Sequence, residues 1–265
     1  MEKIDNKIKK LWDNRSKKYK YNIAGVLPKS FPVAVNKAID DWEYDITKCL
    51  IKDITDFNIL DIGCGYGRTS KRILTKFKNV RTYGIDIAKN YVDIYNKDLK
   101  PRGKALVADM RKLPFRNESV DLVLVVTSLM YILKKKDQRK ALSEMFRVLK
   151  KGGKLLLIER DIAGYNLITL WGIVGRLRGK KNREITATGF DPKDVLGLIK
   201  NSGGTIEQKF GIPFFTFSLP AFFVLNKFGL NKLLKIYLDF VKAVDKFINK
   251  IIYPSLYIAY VCSKS

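Results

Sequence analysis

Histidine is missing from the 265-residue chain. Its absence excludes a His-ligated metal site, a Ser-His-Asp triad and a Cys-His dyad within these residues. Cysteine is scarce. Cys49, Cys64 and Cys262 never fall in C-x-x-C spacing, so neither a zinc site nor a disulfide framework is expected, and the usage suits a reducing compartment. No metal is expected. Long apolar runs are also lacking. The longest stretch without a charged side chain, 210–226, spans 17 residues, the lower limit for a membrane-spanning helix, and Pro213 and Pro220 are expected to interrupt it. The opening residues, MEKIDNKIKKLWDNRSKKYKY, are charged throughout and contain no apolar core of signal-peptide length. Secretion is not expected, and a cytoplasmic location is. Acid is in short supply: 26 Asp and Glu stand against 51 Lys and Arg, a net charge of +25. Residues 57–160 alone carry 24 basic and 10 acidic side chains. Such an excess steers an anionic partner such as RNA, a phospholipid surface or a phosphorylated substrate. Lysines scattered over solvated helix faces give the same count.

What is present reads as one globular α/β unit with additions. Hydrophobic residues make up 46% and charged residues 29%, which argues against disorder. Apolar runs bounded by turn residues predict strands at 57–62, 80–86, 104–109, 120–126, 153–159, 205–210 and 256–262, with helical stretches between them. Ala141, Leu142, Met145, Val148 and Leu149 keep a helical period over 138–149, and Gly152-Gly153 is the expected stop. Asp191-Pro192 is expected to open a further helix running to about Asn201.

The sharpest local signal is Leu60-Asp61-Ile62-Gly63-Cys64-Gly65-Tyr66-Gly67. A buried strand runs into alternate glycines, which let a backbone turn tightly and approach a ligand beneath a helix N-terminus. The dinucleotide pattern G-x-G-x-x-G needs glycine at 68, where Arg68 stands. Asp61 before the turn repels a pyrophosphate and attracts a cation. Two more acids end the next two strands: Asp86, placed to take ribose hydroxyls, and Asp109, placed to accept from an adenine amino group. Together they suit a ligand with an ammonium, a ribose and an adenine and no phosphate. Helix caps or turn acids explain any one of them alone.

The segments ILDIGCGYGRTS (59–70), YGIDIAKNYVD (83–93), ALVADMRKLPFRNESVDLVLVVTSLMYI (105–132) and ALSEMFRVLKKGGKLLLIE (141–159) resemble the class I S-adenosylmethionine-dependent methyltransferases, of the methyltransferase type 11-like kind. The resemblance implies an α/β fold with a seven-stranded Rossmann-like sheet in order 3-2-1-4-5-7-6, strand 7 antiparallel. Around it the chain divides into an N-terminal helical cap (1–50), the cofactor-binding core (51–210 and 255–265) and a helical insert between strands 6 and 7 (211–254). The resemblance implies S-adenosyl-L-methionine as cofactor. Asp61, Gly63, Gly65 and Gly67 would line its methionine part and Asp86 its ribose. Ile87, Asp109 and Met110 would surround the adenine, and Thr127 would line the pocket near the methyl group. Trp12-Asp13 and Tyr19 resemble the cap helix of small-molecule methyltransferases, with Tyr19 expected to close over the cofactor; the bland reading has them anchor that helix to the sheet.

Methyl transfer needs positioning and exclusion of water more than a strong base. Without histidine, the base candidates are Tyr131 after strand 4, and Glu159 and Asp161 at the end of strand 5. Arg176, Arg178, Lys180 and Lys181 form a basic cluster expected to meet an anionic group of the substrate, or to be a solvated loop. In the insert, Leu233, Leu234, Tyr237, Phe240, Val241 and Val244 fall on one helix face and Lys232, Lys235, Asp239 and Lys242 on the other. That pattern fits a substrate-side cap, a face packed on the sheet or a second subunit, or peripheral contact with the inner surface of a membrane. The expected activity is methyl transfer to a small or lipid-linked, amphiphilic acceptor. An RNA or protein methyltransferase, suggested by the charge, and a non-catalytic cofactor-binding subunit are the alternatives.

Overall fold

The computed structural model describes residues 2–28, 31–52, 54–161, 192–212, 215–248 and 255–264. Seven strands, β1 (Phe57–Ile62), β2 (Val80–Asp86), β3 (Gly103–Val107), β4 (Val120–Val126), β5 (Leu149–Arg160), β6 (Gly204–Ile212) and β7 (Tyr257–Lys264), form one sheet. Their order is β3-β2-β1-β4-β5-β7-β6. The first five run parallel, and β7 is antiparallel to both β5 and β6. This is the expected Rossmann-like methyltransferase sheet.

The central strands read FNILDI and VDLVLVV because both their faces are covered. Alternate residues go to opposite faces. Leu60, Ile62, Val123 and Val125 join a cluster with Ala141, Leu142 and Met145 of α5 (Lys135–Val148) and Val195, Leu198 and Ile199 of α6 (Pro192–Lys200). Ile59, Leu122 and Leu124 join a second cluster on the other face, with Val35, Ile39 and Trp42 of α2 (Val33–Lys48). α3 (Arg68–Lys76) and α4 (Lys89–Leu99) are the crossovers that bring β2 and β3 into parallel register. α1 (Glu2–Tyr19) precedes α2, with a single 3-10 turn at Ile23–Gly25 between them among the described residues.

Several boundaries differ from the sequence reading. Helix α5 ends at Val148, and β5 starts at once with Leu149, which is buried and pairs with Val120. Gly152 and Gly153 therefore lie inside β5, where the register with β4 shifts, and do not end the helix. β6 continues through Gly211 and Ile212, which pair with Ile258 and Tyr257 of the last strand. The insert itself is a hairpin of α7 (Phe215–Lys227) and α8 (Asn231–Ile248). Pro220 lies in the second turn of α7, which continues past it. Leu234, Leu238 and Val241 of α8 are buried in the same cluster as α2. Among the described residues no helix is long and apolar enough to cross a membrane.

Candidate active site

The C-terminal ends of β1, β2 and β4 lie side by side, since Ile62 pairs with Ile85 on one flank and with Val125 on the other. Just past β1 the chain folds back over β2: the Gly63 and Cys64 amides both donate to the Ile85 carbonyl, at 2.8 and 3.0 Å. Gly63 sits at φ +71°, a region that L side chains avoid. A Cβ there would also stand 2.1 Å from the Ser128 hydroxyl oxygen. Glycine is thus required twice over, by conformation and by the close approach of the loop after β4.

That edge opens into a cavity of about 230 Å³. Asp61, Gly63 and Gly65 line it from β1 and its turn, and Asp86 and Ile87 from β2. Asp109 and Met110 enter after β3, and Thr127 and Tyr131 after β4. Helix α1 closes one side with Asn6, Ile8, Lys9 and Trp12. The Trp12 ring stands edge-on to Tyr131 at 5.1 Å, so the cap helix and the loop after β4 meet across the opening.

The two acids of the turn are buried. Asp61 Oδ2 accepts from the Ser70 hydroxyl at 2.7 Å. Burial, resisted by that hydrogen bond and the Arg68 charge, pushes its carboxyl up to about 6. Asp86 accepts the Gly65 amide on Oδ2 at 2.9 Å and the Ala88 amide on Oδ1 at 2.8 Å. Burial raises it to about 6 as well, against the pull of its backbone donors. A donor or a cation brought beside either would favour its ionised form further. Asp109 differs. Burial pushes its carboxyl up, but the Arg111 hydrogen bonds and charge outweigh this and hold it below the ordinary range. Arg111 Nε donates to both its oxygens at 3.0 Å.

Thr127 sits at φ +50°. A β-branched residue there costs on the order of 1–3 kcal/mol and persists only where its surroundings hold it. The hold is visible: its amide donates to the Ile158 carbonyl at 2.7 Å. The following amides, Ser128 and Leu129, donate to Glu159 Oε1 at 3.1 and 2.7 Å.

These contacts sort the expected site residues. Glu159 is buried behind the loop and does not line the cavity; one oxygen is occupied by backbone amides, and burial raises its carboxyl to about 8. Asp161 is buried too, at the bridge where its amide donates to the Leu256 carbonyl, and does not line the cavity either. Of the three base candidates, Tyr131 alone faces the cavity. Gly67, the N-cap of α3, does not line the cavity, although Arg68 and Thr69 after it do; a side chain at Gly67 would run into Tyr95 and Leu99. Tyr19 packs at Gly25, under the Lys18 ammonium, and lies outside the lining. Arg176, Arg178, Lys180 and Lys181 fall outside the described residues. None of the described residues of the insert lines the cavity; α8 is tied instead to α2, by Lys242 and Asp45 at 3.1 Å. Tyr91, Arg111 and Ser128 line the cavity without having been singled out. Arg111 and Ser128 each stand next to a residue that was, which is the one local signal they carried.

Residues 59–153 match a protein-family profile described as a methyltransferase domain. These residues form a class I methyltransferase domain. The methyltransferase domain is 30% identical over 110 residues to the demethylmenaquinone methyltransferase of Thermotoga maritima, covering 42% of this chain and 46% of that one. An O-methyltransferase of Pyrenophora dematioidea is 33% identical over 169 residues, covering 57% and 62%. The chain spans about half the length of these curated relatives. In fold, it is similar to the geranyl diphosphate C-methyltransferase of Streptomyces coelicolor A3(2), solved with S-adenosyl-L-homocysteine, with a TM-score of 0.59 at 14% identity over 85% of this chain and 79% of that one.

Proposed function

We propose that this chain is an S-adenosylmethionine-dependent methyltransferase whose acceptor is a small or lipid-linked amphiphile. The observation that carries the cofactor reading is the cluster of Asp61, Asp86 and Asp109 at three neighbouring strand ends around one cavity, with Gly63 and Gly65 between the first two. The residues fit the group. The glycine turn is tightly packed and keeps side chains off the strand edge: a Cβ at Gly63 would collide with Ser128, and one at Gly65 would crowd Val26. Asp86 Oδ2 takes the Gly65 amide and Oδ1 the Ala88 amide, and a carboxylate so held still has acceptor capacity for a ribose hydroxyl. Asp61 offers a buried carboxylate to an ammonium. Ile87 and Met110 supply apolar surface for a purine ring. When bound, the cofactor supplies an activated methyl carbon.

The chain's own residues then position and enclose. Thr127, Ser128 and Tyr131 border the cavity on a loop fixed in place by Glu159. Trp12 and Tyr131 close over it and exclude water, which raises the effective concentration of the acceptor and removes competing hydrolysis. Tyr131 is the side chain available to take or share a proton of the acceptor. The amphiphilic acceptor is supported by the apolar Ile8, Trp12, Met110 and Ile132 beside polar Asn6 and Lys9 in the lining. It is supported too by relatives whose names refer to demethylmenaquinone and to sterol. Transfer to RNA or protein is the second reading, favoured by the net charge of +25.

Calorimetry with S-adenosylhomocysteine tests the pocket: Asp86→Ala is expected to weaken binding about tenfold or more, the loss of charge-assisted hydrogen bonds. Unchanged affinity would overturn the assignment. Labelled cofactor and a cell extract divided into lipid, small-molecule, RNA and protein fractions test the acceptor. Label confined to RNA or protein would overturn the amphiphile, and no transfer at all would indicate a non-catalytic cofactor-binding subunit.

A further inference from the structure

The α7–α8 hairpin buries only part of its apolar surface. Phe222 is buried with its ring 5.1 Å from Tyr237, and Leu234, Leu238 and Val241 face the core. Other apolar side chains face outward: Phe228 is 68% exposed, Ile236 64% and Phe240 62%, with Leu233 and Val224 more than half exposed. Leu233, Ile236 and Phe240 recur at i, i+3 and i+7, one stripe along α8 beside its buried face. Phe228 stands at the tip, where Gly229 at φ +68° turns the chain from one helix into the other. Exposed apolar residues scattered singly are ordinary, whereas a stripe and a tip on one hairpin mark a contact surface.

Charge selects the occupant. Lys227, Lys232 and Lys235 are exposed around the stripe, with the acid Asp239 exposed beside them. A second copy would bring the same lysines, and a chain of net charge +25, against themselves. RNA satisfies the lysines but offers nothing to Leu233 and Ile236. An anionic bilayer satisfies both sets, with headgroups for the lysines and the acyl boundary for the apolar stripe.

We propose that the α7–α8 hairpin docks this protein on an anionic phospholipid surface, with α8 lying along the headgroup layer. The inference rests on the outer surface of the hairpin and not on the cavity, so it stands or falls apart from the acceptor reading. Sedimentation of the full chain with mixed phosphatidylcholine–phosphatidylglycerol vesicles, and with phosphatidylcholine vesicles, tests it. Binding is expected to the mixed vesicles and to weaken as salt is raised. The combined Lys227→Ser/Lys232→Ser/Lys235→Ser variant is expected to lose about a hundredfold in vesicle affinity. Phe228→Ser/Ile236→Ser/Phe240→Ser is expected to abolish it, with calorimetric binding of S-adenosylhomocysteine unchanged in both. A fluorophore on Ile236→Cys in a Cys49→Ser background reports the same event from within the stripe, by a blue shift when mixed vesicles are added. Four results would each overturn the proposal: no binding to mixed vesicles, equal binding to neutral ones, full binding by either variant, or a dimer in light scattering that the Ser variant dissociates.

Discussion

At the scale of single residues, Glu159 shows how a group read as a catalytic candidate turns out to hold the machinery in place. Its Oε1 collects the amides of Ser128 and Leu129, while Oε2 is buried with no hydrogen-bond partner among the described residues. Burial drives the carboxyl up to about 8 from an ordinary 4.5, against the opposing pull of those amides. The consequence for stability has a definite sign. The folded protein keeps a proton that the unfolded chain releases, so the contribution is full below about 4.5 and declines as pH rises. It is gone once pH passes about 8. Glu159→Gln keeps an amide oxygen for the same backbone donors and cannot ionise. Its melting temperature relative to the parent is expected to climb between pH 5 and pH 8 and then level off. Thermal melts across that range check this, and a constant difference would remove Glu159 as the titrating group.

At the scale of elements, α3 begins at the cavity and is bolted to α2 by charge. Arg68, the first residue of α3, pairs with Asp40 and with the buried Glu43, at 2.6 Å for the latter. Arg72, one turn on, pairs with Asp40 at 2.8 Å and Asp41 at 2.9 Å and lies over the Tyr44 ring. Burial raises the Glu43 carboxyl despite the Arg68 charge. Removing the guanidinium therefore strands a charge in the interior. Arg68→Ala is expected to cost about 3–5 kcal/mol in urea unfolding, and Arg68→Met with Glu43→Leu to recover most of it. If the single and double variants were equally unstable, the pair would not be what joins the helices. The same scale explains what was legible beforehand. β1, β2 and β4 could be read to the residue because central parallel strands are unbroken apolar runs closed by turns. The end of α5 could not, because Leu149 continues the helical period and equally begins β5; only pairing with Val120 decides it. Asp61 and Asp86 were legible from strand ends alone. Tyr131 was legible in the same way, whereas Tyr91 inside the cavity and Tyr19 outside it were not, since the docking of α1 decides both, a contact between distant parts of the chain.

At the scale of the whole molecule, the strand ends and their loops make most of the cavity, and Asn6, Ile8, Lys9, Trp12 and Val26 close one side of it. Trp12 meets Tyr131, and the Tyr91 hydroxyl donates to the Gly25 carbonyl at 3.2 Å. Arg15 stacks over Trp12 and donates to the Ala24 carbonyl at 3.0 Å, which folds the segment after α1 back along its own helix. α1 is mostly solvent-exposed along its length, with Ile8 and Ser16 its buried positions among those described. Elements that bury so little open at lower free energy than the core, which is what a cover over a cavity requires. Deleting residues 1–21 is therefore expected to leave a cooperative melt and the strand content of the sheet intact, yet to weaken S-adenosylhomocysteine binding by about tenfold or more. In the full chain Trp12 should report the closure: its fluorescence is expected to change on adding S-adenosylhomocysteine, and Trp12→Phe to abolish the change while Trp42 and Trp171 remain. If the deletion bound with full affinity and the fluorescence stayed constant, α1 would be an attachment to the fold and the sheet edge would hold its ligand unaided.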